Sequence, residues 1–493
     1  MKKVLLFLID SMMPDVLEQS VAEQKAPAFR FFMERGQYIN DCVTVFPTMT
    51  ASIDCSLITG VYPDKHKVPG LIWYDPVEKK IINYLNGVRP VFQTGMEHCA
   101  RNVLFDLNEH HLSKDVKTIH EELEENGRTS GSINVIAHRG HKQHRVELPF
   151  LLDAAMGFRM REKVSGPTIL SLGTLVKPAI FRPVTWNWSQ SLIASYGLND
   201  PHAIDVLIEV VKSGKQPDFT LIYLPDNDHK LHKTPHLAVE HLSQVDEQIV
   251  RFLDTFDSWE QALEQNIFIF VSDHGQTVIG SAPEHNIPLE ELLSGFCILK
   301  LGDSVEEDVE VVICNNERMS YLYPVQEGVL PKLVEAVAGD ERIDLIAWKE
   351  TEWVRVRRGG TERTLSFRKG GDKRDCYQGE WTIQGDWQVL DLKESFGGGV
   401  DYGDYPDVMS RLYGALFSQT DQVVVVTAAP GFEFLSECSP THLGGGSHGS
   451  LHKRDSLVPL LIAGASRPMT HPARIVDVKA FILQELALHT TVV

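Results

Sequence analysis

Short uninterrupted apolar runs alternate along the chain with longer stretches in which apolar residues recur every third or fourth position. The runs are Val4–Ile9, Ser132–Ile136, Phe219–Leu224, Ile267–Val271, Val423–Val426 and Val458–Ile462. Continuous segments of this kind fit strands covered on both faces. Between them, 201–212 places Ile204, Leu207, Ile208 and Val211 at helical spacing, and 236–255 does the same with Leu237, Val239, Leu242, Val245, Ile249 and Leu253. Strands alternating with helices predict an α/β fold with a mostly parallel central sheet flanked by helices. The rhythm breaks between about 300 and 415. There, 353–358 alternates apolar and basic residues and meets Gly359-Gly360, a hairpin signal. The pattern divides the chain into a core of 1–299 with 416–493, and a smaller α+β insert or cap at 300–415. Basic residues gather in the insert, from Arg355, Arg357, Arg358, Arg363 and Arg368 to Lys369, Lys373 and Arg374. They read as the solvated face of a β-rich lobe, or as a cap that helps hold an anion.

Composition narrows the classes. Net charge is −20, from 47 basic and 67 acidic residues. This argues against a nucleic-acid-duplex or anionic-membrane binder, which would carry a basic footprint. It leaves room for a small anionic substrate held through divalent cations. The first apolar run is too short for a secretory core and ends at Asp10, so it reads as a strand. No run approaches the roughly 18 apolar residues of a membrane span. Seven cysteines (Cys42, Cys55, Cys99, Cys297, Cys314, Cys376 and Cys438) show no C-x-x-C pairing. Reduced thiols and a cytoplasmic location are the expectation. Oligomeric state is not readable from the sequence.

Candidate chemistry collects at strand ends. Asp10 ends the first run, Asp228 lies just past Leu224, and Asp273 follows Val271-Ser272. In open α/β sheets, ligands bind in the crevice outside the carboxyl ends of the strands. Asp228 has His232 four residues on, with His229 between them, and Asp273 is followed at once by His274. Carboxylate and imidazole together suit zinc and similar ions. Gly444-Gly445-Gly446-Ser447-His448-Gly449 adds a further histidine in a segment built for close backbone approach. A lone Asp-His pair is usually structural; several strand ends of matching chemistry favour a metal centre. Thr50 begins a helix after Pro47, and is read either as a cap or as a nucleophile at a phosphate-favouring helix N-terminus.

Together these segments resemble the alkaline phosphatase superfamily, most closely its nucleotide pyrophosphatase/phosphodiesterase branch. That branch reads Thr-Phe-Pro-Asn-His-Tyr-Thr-Leu-Val-Thr-Gly-Leu-Tyr-Pro and then His-Gly-Ile. This chain reads Thr50-Ala-Ser-Ile-Asp-Cys-Ser-Leu-Ile-Thr-Gly-Val-Tyr-Pro63 and then His66-Lys-Val. The register makes Thr50, not Thr48, the family's nucleophile. The Asp228/His232 spacing, Ser272–Gln276 and Gly446–Gly449 match later motifs. The resemblance implies one metal ion on Asp228, His232 and His448, and a second on Asp10, Asp273, His274 and Thr50. Zinc is the expected metal, with manganese as an alternative. It also implies phosphoester cleavage through a phospho-threonine. One departure stands out: Leu71 occupies the position of an asparagine that in relatives helps hold a substrate oxygen, and leucine cannot donate a hydrogen bond.

Arg139 and His141, in the histidine-rich segment after Ile136, are further candidates for substrate contact, although an exposed polar loop explains them as well. His229, His285, His442 and His452 are spare imidazoles near the motifs. The leading function is phosphodiester or pyrophosphate hydrolysis. The alternatives are a phosphomonoesterase or phosphonate hydrolase on the same metals and, from another class, a non-catalytic metal-binding interaction protein. A sulfatase lacks support because Thr50-Ala-Ser-Ile-Asp does not supply that branch's nucleophile motif.

Overall fold

The computed structural model describes residues 2–147, 163–178, 197–437 and 439–488. Six strands of the main sheet come first: β1 (Lys3–Ile9), β2 (Gly36–Val43), β3 (Ser130–Ile133), β4 (Ile169–Ser171), β5 (Phe219–Leu224) and β6 (Asn266–Ser272). The chain then leaves to lay down β7 (Val311–Asn316), β8 (Met319–Pro324), β9 (Ile343–Glu350), β10 (Trp353–Arg358), β11 (Thr364–Arg374), β12 (Glu380–Gly385) and β13 (Val424–Ala428). It returns with β14 (Leu457–Ala463).

The main sheet runs β2-β14-β6-β1-β5-β3-β4. Pairings β6-β1, β1-β5, β5-β3 and β3-β4 are parallel, and β14 and β2 add an antiparallel edge. The apolar runs are explained by burial on both faces. Along β1, Val4, Leu6 and Leu8 enter one core while Leu5, Phe7 and Ile9 enter the other. β6 divides likewise, with Ile267, Ile269 and Val271 opposite Phe268 and Phe270. The Phe7 and Phe270 rings stack at 5.0 Å, adding aromatic packing to area burial. The expected helices form at Asp200–Lys212 and Ala238–Leu253.

The second sheet runs β7-β8-β13-β9-β10-β11-β12, with every neighbour antiparallel. It corrects one expectation. The run at Val423–Val426 belongs here, between β8 and β9, and not in the parallel sheet; the sheet therefore draws a strand from beyond residue 415. One of its faces carries the Val329–Ala338 helix. The other shares a core with Phe46, Ile72, Tyr74 and Leu451 from outside 300–415, so the two sheets are joined by common packing. The six described cysteines are unpaired, and Cys438 lies outside the described residues. Among the described residues no helix is long and apolar enough to cross a membrane.

Candidate metal centre and nucleophile

Asp10 and Asp273 directly follow the adjacent strands β1 and β6, so parallel pairing delivers both carboxylates to one end of the sheet. Asp228 sits in the short Asp226–Leu231 helix just after β5, the other neighbour of β1. Ser11, at a left-handed φ of 55°, ties the three together. Its N–H donates to Asp273 Oδ1 at 3.1 Å and its hydroxyl to Asp228 Oδ1 at 2.7 Å. The Asn227 amide donates to the Asp10 and Ser11 carbonyls at 2.9 and 3.1 Å. Tyr223 donates its phenol to Asp10 Oδ2, and Gln276 its amide to Asp228 Oδ1.

Within this frame Asp10 Oδ1, Asp273 Oδ2 and His274 Nε2 form one donor group. His274 Nε2 lies 3.5 Å from each carboxylate. All three atoms are buried without a hydrogen-bond partner among the described residues. An isolated buried charge is costly, and buried polar groups are nearly always paired. Three such atoms facing one another fit a cation. Burial, then the carboxylates of Asp228 and Asp273, push the Asp10 carboxyl well above the ordinary range, as expected of an acidic cluster in want of positive charge.

A second group gathers beside it. His232 Nε2 is 3.0 Å from Asp228 Oδ2, and His448 Nε2 is 3.8 Å from Asp228 Oδ1. Backbone carbonyls orient both rings: His232 Nδ1 bonds to Gly446 O and His448 Nδ1 to Thr48 O, each at 2.7 Å. A carbonyl only accepts, so Nδ1 carries a proton in each ring and Nε2 is the nitrogen that a metal would take. The glycine run permits the approach. A Cβ on Gly445 would sit 1.9 Å from the His232 carbonyl oxygen. Burial opposes charge on Asp228, yet the imidazoles of His232, His448 and His274 hold its carboxyl well below the usual range. Burial likewise opposes charge on His232, but Asp228 and then Glu317 carry it up to about 10. The His274 and His448 rings stack at 3.6 Å, joining the two groups.

Glu317 is a site residue that the sequence motifs did not mark. It lies in the two-residue turn joining β7 to β8, at a φ of 62°. Its Oε2 accepts from the Ser447 hydroxyl at 2.9 Å and the His448 N–H at 3.2 Å. Ser11 and Tyr223 were also unmarked, and no local signal separates them from ordinary loop and strand residues; Gln276 closes the Ser272–Gln276 motif, but its bond to Asp228 was not foreseen.

Thr50 opens the Thr50–Thr59 helix and is half-buried. No hydrogen bond of its hydroxyl holds it to another described residue. Thr48 is different: its hydroxyl accepts from Gly449 N at 2.7 Å and its carbonyl receives His448. Leu71 is half-buried against the main core, with its N–H donated to Asn316 Oδ1 at 3.0 Å. Arg139 is not a free substrate group. Its guanidinium is buried and donates to the carbonyls of Leu112, Ser113 and Val116 and to Glu121, so it is structural and not part of an exposed loop. His141 is exposed, with its N–H on Glu124. Of the spare histidines, His442 stacks on His232 at 4.3 Å and bonds to Glu433, His285 bonds to Gly431 O, His452 caps the Lys453–Ser456 helix, and His229 is exposed. The basic residues that gather between Arg355 and Arg374 are each matched by a carboxylate, including Arg357 by Glu335 and Glu362, Arg363 by Asp386 and Lys369 by Asp64. This local neutralisation favours a solvated face over an anion-holding cap.

Fold and site together define a hydrolase of phosphate esters, built on an alkaline-phosphatase-like α/β core with clustered side chains that could hold metal ions. The chain belongs to the type I phosphodiesterase / nucleotide pyrophosphatase family, whose model matches residues 4–451. Among solved structures it is similar to murine ectonucleotide pyrophosphatase/phosphodiesterase 5, at 15% identity and a TM-score of 0.58, covering 99% of this chain and 96% of that one. The human counterpart matches at 16% identity and a TM-score of 0.59, covering 100% and 96%. An inactive threonine-to-alanine variant of the murine protein, in complex with AMP, matches at 16% and 0.58, covering 99% and 96%. No curated protein matches the chain.

Proposed function

We propose that this chain cleaves a phosphodiester, pyrophosphate or related phosphate ester with two divalent ions, zinc by its donor set, and Thr50 as nucleophile. The observation that carries the reading is the convergence of Asp10, Asp273 and His274 through buried donor atoms that have no other partner among the described residues, beside Asp228 with His232 and His448 within 3.0 and 3.8 Å of its carboxylate. When bound, the metals would lower the pKa of the threonine hydroxyl and stabilise charge on phosphoryl oxygens. The uncommitted Thr50 oxygen attacks phosphorus, the ester oxygen leaves, and a phospho-threonine forms. The N-terminus of the Thr50–Thr59 helix favours the added negative charge. Water then attacks that phosphorus, releasing the product and restoring Thr50. The Nδ1 hydrogen bonds of His232 and His448 keep Nε2 of each turned to the site throughout. The murine relative's inactive threonine variant, solved with AMP, supports both the nucleophile and a nucleotide-like ligand.

Leu71 supports a second reading on the same centre. Without an amide donor there, a phosphomonoester or phosphonate is the better substrate. A cytoplasmic location is proposed on the unpaired state of the six described cysteines. The test is a parallel hydrolysis screen of aryl phosphodiester, aryl phosphomonoester, nucleotide and phosphonate substrates on zinc- and manganese-loaded protein, with metal content measured. Thr50→Ala should lose activity and keep its metal; Asp273→Ala should lose both. Metal content near zero after zinc reloading, or wild-type turnover by Thr50→Ala, would overturn the proposal.

A further inference from the structure

Glu317 comes from the second sheet, more than forty residues from either Asp273 or Phe432, yet its carboxylate ends among the imidazoles of the centre. Its Oε2 is 3.6 Å from His448 Nε2 and its Oε1 is 4.0 Å from His232 Nε2. The three donors, from Glu317, His232 and His448, lie close enough to hold one ion. Asp228 completes a four-membered set, at 3.0 Å from His232 and 3.8 Å from His448. Donors about 2.0–2.1 Å from a tetrahedral zinc stand about 3.3 Å from one another. The four imidazole–carboxylate separations, each taken to the nearer oxygen of Asp228 or Glu317, run from 3.0 to 4.0 Å and bracket that value.

Two further observations set Glu317 apart from an ordinary buried acid. Among the described residues no arginine or lysine pairs with its carboxylate: the neighbouring Arg318 turns away to Asp455, and the donors to Glu317 are Ser447 and His448. Its position also works against its backbone. The turn has a positive φ at its first residue only, where glycine is the usual occupant and a side chain is strained. The surroundings receive it closely. A Cβ on Gly449, at a φ of 116°, would lie 2.5 Å from the carbonyl oxygen of Asn316, so only glycine lets this turn seat against His448.

We propose that Glu317 is a fourth protein ligand to the ion held by Asp228, His232 and His448. This rests on the metal-dependent reading above. Its consequence is a more enclosed site, with two carboxylates and two imidazoles on one ion. An incoming phosphoryl oxygen must then either expand the coordination shell or displace Glu317. The other ion, on Asp10, Asp273 and His274, is unaffected.

The test uses full-length protein loaded with zinc, and separately with cobalt. Wild type should bind two ions. Glu317→Gln should keep one and bind the other at least 10–100-fold more weakly, and its cobalt absorption bands should change in intensity as a protein ligand is lost. Glu317→Asp, which keeps the charge on a shorter arm, should fall between the two. Weakened affinity with unchanged cobalt bands would leave Glu317 only a hydrogen-bond support and overturn the inference; so would unchanged affinity. A wild type that binds no metal would instead overturn the underlying reading. Should Glu317→Gln not fold, a zinc-soaked wild-type crystal decides: a Glu317 oxygen about 2.0–2.2 Å from the anomalous peak is expected, and one beyond hydrogen-bonding range of it refutes the assignment.

Discussion

Asp455→Asn should damage both stability and metal binding, although Asp455 touches no candidate metal ligand through its side chain. Its carboxylate and the Arg318 guanidinium are both fully buried. Asp455 Oδ1 accepts from Thr277 and Arg318, and Oδ2 from Arg318 and the Ser450 N–H. Asparagine keeps one acceptor oxygen, so about half of these bonds are lost and the guanidinium is left without a counter-charge. Hydrogen bonds to charged groups contribute about 1.5–3 kcal/mol each, and removing one partner of a buried pair costs about 3–5 kcal/mol. We expect a loss of about 3–5 kcal/mol, read by scanning calorimetry as a fall of roughly 3–5 °C in the unfolding midpoint, since an unfolding entropy of about 2.1 cal/mol/K per residue makes each kcal/mol worth about 1 °C in a chain of this length. Metal affinity should fall as well, because the Arg318 N–H donates to the His448 carbonyl at 2.9 Å and Glu317 precedes Arg318 in the turn. Replacing both partners, as Arg318→Met with Asp455→Leu, should cost clearly less than the sum of the single changes. Single variants that melt within a degree of wild type, or strictly additive losses, would refute the idea that this pair clamps the turn to the site.

Leu71→Asn should raise turnover of nucleotide diesters relative to wild type, toward the roughly 2.7–4 kcal/mol that one preorganised donor supplies; no gain in kcat/KM, together with efficient wild-type turnover, would remove the specificity argument. Arg139→Ala should lower thermal stability by about 3–5 kcal/mol while leaving kcat of the folded enzyme intact, and a selective fall in kcat would return Arg139 to the substrate site. Burial raises Asp246 to about 6 even though the N–H groups of Ala28 and Phe29 donate to it. The stabilisation it gives, up to about 3 kcal/mol, is complete below about pH 4 and lost as pH rises through 6. Asp246→Asn should flatten the stability profile in that window, and an unchanged slope would contradict the assignment.

The strand-end aspartates and their histidines were legible because the signal is local: an apolar run, then a carboxylate, with an imidazole at fixed spacing. Parallel pairing of β1 with β5 and β6 does the rest. Glu317 was not legible, because its role depends on a turn of a different sheet returning to His448, and nothing in Cys-Asn-Asn-Glu-Arg marks it. The run at Val423–Val426 was placed in the wrong sheet because a strand buried on both faces looks the same in parallel and antiparallel company. Arg139 misled in the opposite direction. A stretch rich in His and Arg reads as polar surface, but here a buried guanidinium collects the loose carbonyls of Leu112, Ser113 and Val116.

The central place of β1 bears on synthesis. Its partners, β5 and β6, begin at residues 219 and 266, so the strand at Lys3–Ile9 is made long before either neighbour exists. At about 5–20 residues per second, translation leaves it unpaired for roughly 10–40 s. During that interval an apolar strand with two free edges is a template for association with other nascent chains. Residues that end buried on both faces therefore have the longest exposure on the ribosome, and the yield of folded protein should depend on elongation rate and on chaperones that hold this segment until residue 272 has emerged.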